Sequence, residues 1–135
     1  MRVYVDTNIF IDYLAKRKDR FRDLGLMAFE FFRRMIEEGN EIIISDLLLK
    51  ELEYRLDNEY ITDVLDWLNT NNTVIKVKTS KKDKIFANKI SKKYNLPYSD
   101  CLHSVLAKRL YVDYLITRNI KDFPDLVRVV LPESL

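Results

Sequence analysis

A chain of 135 residues, 47% hydrophobic and 33% charged, can bury one core and is expected to form a single domain over 1–135. That composition excludes a disordered chain, and no repeat or low-complexity linker interrupts it. A formal net charge of +2 is too small to argue alone for nucleic-acid binding, so the distribution of charge matters more than its sum. Cys101 is the only cysteine, which excludes a disulfide framework and fits a reducing, cytoplasmic setting. The apolar runs are short and broken by charge, so neither a membrane span nor a leader peptide is expected.

Residues 2–5 predict a strand that runs straight into Asp6, Thr7 and Asn8. A helix over 7–15 follows, with Ile9, Ile11, Tyr13 and Leu14 marking its apolar side only roughly. A longer helix over 26–38 steps through Leu26, Phe29, Phe32, Arg33 and Ile36 at threes and fours, and Gly39 with Asn40 stops it. It also carries Met27, Phe31 and Met35, two adjacent apolar stripes, which predicts burial against both the core and a partner. The run EIII at 41–44 reads as a buried strand, and Ser45 as the N-cap of a helix over 46–56 with Leu48, Leu52 and Leu56 on its core face. A helix over 59–69 is closed by NTNN at 69–72. Then come a strand at 74–77, helices at 81–93 and 99–110, and strands at 114–117 and 127–131.

This alternation argues for an α/β fold, a mostly parallel sheet covered by helices on both faces. Sites in such sheets form beyond the carboxyl ends of the strands. Asp6 follows the first strand. Glu51 flanks the buried stripe of the helix after the second. Asp100 lies in the first turn of the 99–110 helix, and Asn119 and Asp122 follow the strand at 114–117. A parallel sheet can bring all five to one rim. Carboxylates gathered without compensating bases repel one another and are satisfied by a hard divalent cation, Mg²⁺ or Mn²⁺, which favours oxygen ligands and retains waters. One or two such ions would activate water against a phosphodiester. In that scheme Asp6 and Asp100 are direct ligands, and Glu51 and Asp122 hold a second ion or its waters. Asn119 and Thr117 orient those waters, and Thr7 or Asn8 braces Asp6. Plainer readings stand beside it. Asp6 can begin a turn, Asp100 can be a first-turn acid favoured by the helix dipole, Glu51 can pair with Arg55 at i+4, and Asn119 and Asp122 can shape a loop.

The blocks VYVDTNIFIDYL, ISDLLLKELE, LPYSDCLHSVLAKRL and YLITRNIKDF, in this order and strand context, resemble the PIN-domain nucleases over essentially the whole chain. The resemblance implies a three-layer α/β/α sandwich and Mg²⁺- or Mn²⁺-dependent cleavage of RNA to a 5′-phosphate and a 3′-hydroxyl. Asp6, Glu51 and Asp100 match the family acids, and His103 stands where the family often has histidine. Thr117, Asn119 and Asp122 match the segment after the fourth strand. One departure is Asn119, where many members carry aspartate, which shifts the second-ion role towards Asp122. Chains of this length resemble VapC-type toxins, which implies a small antitoxin partner and a homodimer or higher oligomer. The resemblance also allows a housekeeping nuclease of RNA maturation. A binding module with an idle acidic cluster is the competing class.

His103 can contact substrate or Asp100, or be a satisfied half-buried side chain, and Cys101 reads as packing. No GxGxxG or GxxxxGKS occurs, and DTN lacks the second aspartate of a D-x-D phosphatase. Two basic runs could hold RNA phosphates: one with Lys81, Lys82 and Lys84, another with Arg17, Lys18 and Arg20. Either can equally be a solvated face. Phe21 and Tyr98 can stack on single-stranded bases or pack.

Overall fold

In the computed structural model, residues 1–71 and 73–135 are described; of the NTNN stretch, residue 72 lies outside them. The described residues form strands β1 (Arg2–Val5), β2 (Glu41–Ser45), β3 (Val74–Val77), β4 (Tyr114–Ile116) and β5 (Val129–Val130). All pair in parallel, in the order β3-β2-β1-β4-β5. The helices are α1 (Thr7–Leu14), α2 (Leu24–Glu37), α3 (Asp46–Arg55), α4 (Asn58–Thr70), α5 (Lys81–Tyr94) and α6 (Tyr98–Arg109), with short 3₁₀ turns at Ile120–Asp122 and Pro132–Ser134.

The sheet is buried on both faces, which is why β2 reads as an unbroken apolar run rather than an alternating one. Val3, Val5, Ile42 and Ile44 point to one side and pack with Phe10 of α1, Phe31 and Phe32 of α2, Leu48 and Leu52 of α3, and Val64 and Leu68 of α4. Tyr4, Ile43 and Leu115 point to the other side, against Leu106 and Ala107 of α6. Helix α5 reaches α6 through Ala87 and Ile90, which pack with Cys101, Leu102 and Val105. The architecture is a three-layer α/β/α sandwich with a parallel central sheet.

Three departures from the sequence expectation have local causes. Helix α2 starts two residues early because Asp23 caps it, accepting from the Leu26 backbone N–H at 3.0 Å. Its first turn includes Gly25, whose missing Cβ would lie 2.8 Å from the backbone oxygen of Asp12. An apolar periodicity sees neither residue. Strand β5 is only two residues long, since the chain turns at Leu131 into Pro132, which has no N–H to continue a ladder. The second stripe of α2 finds much of its partner within the chain: Phe29 stacks on Tyr13 and Trp67 with ring centroids 5.9 and 5.8 Å apart, leaving Leu26 exposed.

Strand β1 is where the strand order reverses: β2 and β3 extend the sheet to one side of it, β4 and β5 to the other. The crevice beyond the carboxyl ends of β1 and β4 is the place where open parallel sheets accept ligands.

Candidate active site

Val5 pairs in register with Ile116, so Asp6 and Thr117 leave the sheet side by side at that crevice. The Asp6 backbone N–H donates to the Ile116 carbonyl at 2.9 Å. The Thr117 hydroxyl donates to Asp6 Oδ2 at 2.8 Å and accepts from the Asn119 backbone N–H at 3.1 Å. Thr117 was expected to orient a water; its hydrogen is instead spent on Asp6. Burial pushes the Asp6 carboxyl above its ordinary value and the Glu51 charge adds to the rise; the Thr117 hydrogen bond opposes it, as does the His103 ring when it is protonated.

Glu51 is positioned by α3, which Ser45 starts by accepting from the Leu48 backbone N–H at 3.0 Å. Three donors hold the carboxylate. Thr7 Oγ1 reaches Oε1 at 3.0 Å, Ser99 Oγ reaches Oε2 at 2.9 Å, and His103 Nε2 bonds Oε1. Burial works against ionisation of Glu51, but the bonds from His103, Ser99 and Thr7 outweigh it and leave the carboxyl below its ordinary value. Thr7 or Asn8 was expected to brace Asp6. Thr7 meets Asp6 only through its backbone N–H, and its hydroxyl goes to Glu51. The i+4 partner Arg55 is not used: among the described residues it lies in no ion pair.

Asp100 enters from the first turn of α6. Burial, then the charge of Asp6 and more weakly those of Asp122 and Glu51, pushes its carboxyl up to about 6, with the His103 ring opposing when it is protonated. Asp6, Thr7, Asn8, Glu51, Tyr54, Arg55 and Asp100 line one cavity of about 280 Å³. Asp122, on the 3₁₀ turn, is half-buried and outside that lining, although its charge reaches Asp100. Asn119 is exposed and touches the site through its backbone N–H to Thr117.

The four carboxylates do not form a protein cage. Among the described residues, no three His, Cys, Asp or Glu side chains are placed to share one metal ion. The reason is visible at Glu51, whose oxygens are turned to Thr7, His103 and Ser99. Every side chain lining the cavity except Arg55, a cation itself, carries an oxygen able to meet a hard cation. Two buried or half-buried carboxylates with raised pKa values fit a hard cation such as Mg²⁺ or Mn²⁺, which is commonly held by one or two carboxylates plus waters and substrate oxygens.

His103 is buried and bonded to Tyr4 and Glu51, not to Asp100, and Cys101 is buried in the packing of α5 on α6. Of the basic residues, Lys81 and Lys84 join Ile85, Asn88 and Tyr98 around a cleft of about 390 Å³. Tyr98 immediately precedes Ser99 and Asp100 in the first turn of α6. Lys82 is exposed but does not line this cleft. Arg17 pairs with Asp12 at 3.4 Å, Arg20 lies over the Phe21 ring, and Lys18 bridges to Asp23 through the backbone. The sequence reading missed Tyr4, Ser99, Tyr54 and Arg55. Only Tyr4 had a signal: a tyrosine in a strand buried on both faces must find a partner for its hydroxyl.

Among the described residues, no helix is long and apolar enough to cross a membrane. The chain is similar in structure to VapBC2 from Rickettsia felis bound to a DNA fragment from its promoter (TM-score 0.68, 19% identity, 97% of this chain and 98% of that one covered). It is also similar to a toxin–antitoxin complex from Klebsiella pneumoniae (0.66, 23%, 96% and 97%). FitAcB from Neisseria gonorrhoeae is a third likeness (0.63, 15%, 98% and 99%). No curated protein sequence matches it. The sequence pattern of the PIN domain matches residues 3–128, nearly the whole of the chain whose sheet and acidic crevice have just been described, and the chain belongs to the PIN-domain family.

Proposed function

We propose that this protein is a Mg²⁺- or Mn²⁺-dependent endoribonuclease of the VapC toxin type. One observation carries the reading: Asp6, Glu51 and Asp100, from three separate elements, line a single cavity at the reversal point of the sheet. Asp6 and Asp100 would hold the ion. When bound, it supplies a water of lowered pKa and offsets charge growing on the phosphoryl oxygens. Thr117 keeps Asp6 in place, and Glu51, held by its three donors, orients water beside them. Asp122 contributes charge from the rim. Arg55, lining the same cavity, is placed to hold a phosphate oxygen. Lys81 and Lys84 would hold the RNA backbone while Tyr98 stacks on a base. Water attacking phosphorus in line opposite the 3′-oxygen, with that oxygen leaving and taking up a proton, gives the 5′-phosphate and 3′-hydroxyl that the family resemblance implies.

The toxin assignment draws on the toxin–antitoxin likenesses, which span nearly the full length of both chains. It brings with it a small antitoxin protein and self-association as a homodimer or higher oligomer. The exposed Leu26, beside a cleft lined by Tyr13 and Phe29, supports such a contact. A second reading, an RNA-binding module with an idle acidic cavity, is favoured by the lack, among the described residues, of three side chains placed to share one ion. One experiment separates them: Mn²⁺ titration of the purified protein by calorimetry, with cleavage of labelled single-stranded RNA with and without EDTA. Metal-dependent cleavage supports the nuclease. RNA binding without cleavage supports the module.

A further inference from the structure

The chain has one histidine, and both of its ring nitrogens are engaged in a buried setting. Nε2 meets Glu51 Oε1, and Nδ1 meets the Tyr4 hydroxyl at 2.5 Å. Tyr4 in turn meets Ser45 Oγ at 2.7 Å, and Ser45 Oγ accepts from the Leu48 backbone N–H at 3.0 Å. Tyr4, Ser45 and His103 are all at most 1% exposed, so every hydrogen in this chain needs a partner within it.

Counting donors and acceptors gives the chain a direction. Glu51 is an acceptor, so Nε2 carries a hydrogen. If Nδ1 also carried one, it would donate to Tyr4, Tyr4 would donate to Ser45, and the Ser45 hydrogen would be left without an acceptor among the described residues. With Nδ1 bare, Leu48 N–H donates to Ser45, Ser45 to Tyr4, Tyr4 to Nδ1, and Nε2–H to Glu51, and no donor is wasted. Glu51 Oε1 then receives two hydrogens, from His103 and Thr7, and Oε2 receives one, from Ser99. Each carboxylate oxygen has two lone pairs, so Oε2 alone keeps one free.

We propose that Ser45, Tyr4 and His103 form a one-way hydrogen-bond relay that fixes the Nε2–H tautomer of His103, making it a positioning residue that leaves Glu51 a single free lone pair, on Oε2. The relay begins and ends on α3, so the helix that carries Glu51 also sets its orientation. The functional consequence rests on the metal-nuclease reading; the tautomer does not.

The solitary histidine makes the test direct. Two-bond ¹H–¹⁵N correlation of metal-free protein at pH 7.5 is expected to show the Nε2–H tautomer. A Nδ1–H or doubly protonated ring overturns the relay. In His103→Gln the side-chain amide can still donate from near the position of Nε2, whereas in His103→Asn it stands near Nδ1. Mn²⁺ affinity by calorimetry is therefore expected to fall about tenfold or more in His103→Asn, as for other side chains that orient a ligand, and by less than about threefold in His103→Gln. Equal losses in both would mean that packing alone matters and would reject the positioning role. If wild-type protein binds no Mn²⁺ and cleaves no RNA, the nuclease reading falls while the tautomer still decides the relay.

Discussion

Thr117 donates its hydroxyl to Asp6 Oδ2 at 2.8 Å across 111 residues of chain, at the one place where the strand order reverses. The bond joins the ends of β1 and β4 and fixes the most deeply buried acid of the cavity. Thr117→Val keeps the shape and removes the donor. It leaves the Asp6 carboxylate with one partner fewer and the Asn119 N–H without its acceptor. Chemical unfolding should show a loss of about 1–3 kcal/mol, with weaker Mn²⁺ binding in calorimetry.

Asp6→Asn retains the size and removes the charge. Single-turnover cleavage of RNA is expected to drop at least about 100-fold, the scale of losing one preorganised electrostatic group. Because burial and Glu51 raise the Asp6 carboxyl, its ionised form strains the metal-free fold at neutral pH. The variant is therefore expected to melt higher than wild type in EDTA at pH 7.5. Undiminished cleavage would place the catalytic metal elsewhere.

Asp100 gives a pH signature. Its carboxyl titrates at about 6 when folded, against 3.8 ordinarily. Its contribution to metal-free stability is fully present below the ordinary value and is lost as pH rises through about 6. Glu51, held below its ordinary value, works in the opposite sense as pH falls. Total stability therefore mixes the two, and the variant isolates one. The melting temperature of Asp100→Asn relative to wild type in EDTA is expected to rise between pH 4 and pH 7. Mn²⁺ binding by wild type should weaken below pH 6, because the ion must displace the Asp100 proton.

On the proposed function, the cleft beside α6 is where RNA would be held. Removing both Lys81 and Lys84 as glutamines should lower affinity for a non-cleaved single strand. It should also reduce the slope of log K against log salt by about 1.4, two phosphate contacts at about 0.7 each. Tyr98→Ala should cost about 1–3 kcal/mol of binding with no change in that slope. Filter binding across a salt series reads both.

Gly25 tests the packing of α1 on α2. A Cβ there would sit 2.8 Å from the Asp12 carbonyl oxygen and 3.1 Å from the Cα of Lys16, both backbone atoms that cannot swing away. Gly25→Ala is expected to destabilise by about 1–3 kcal/mol despite the better helix propensity of alanine. Urea unfolding measures it.

What the sequence determined alone is what neighbouring residues decide. The doubly buried strands show as apolar runs, Ser45 announces a helix by its capping chemistry, and each acid stands just past a strand or in the early turns of a helix. Those features depend on period, caps and backbone donors within a few residues, so they survive without knowledge of the fold. The partners of the acids do not. Thr117 reaches Asp6 only because β4, rather than β2 alone, lies beside β1. Glu51 has Arg55 one turn away on its own helix, yet bonds His103, 52 residues along the chain, because α6 crosses the far face of the sheet where Tyr4 points. Spacing states which residues arrive at a rim, whereas strand order and helix crossing decide which atoms face each other there, and hydrogen bonds formed across those crossings turned Glu51 towards its donors.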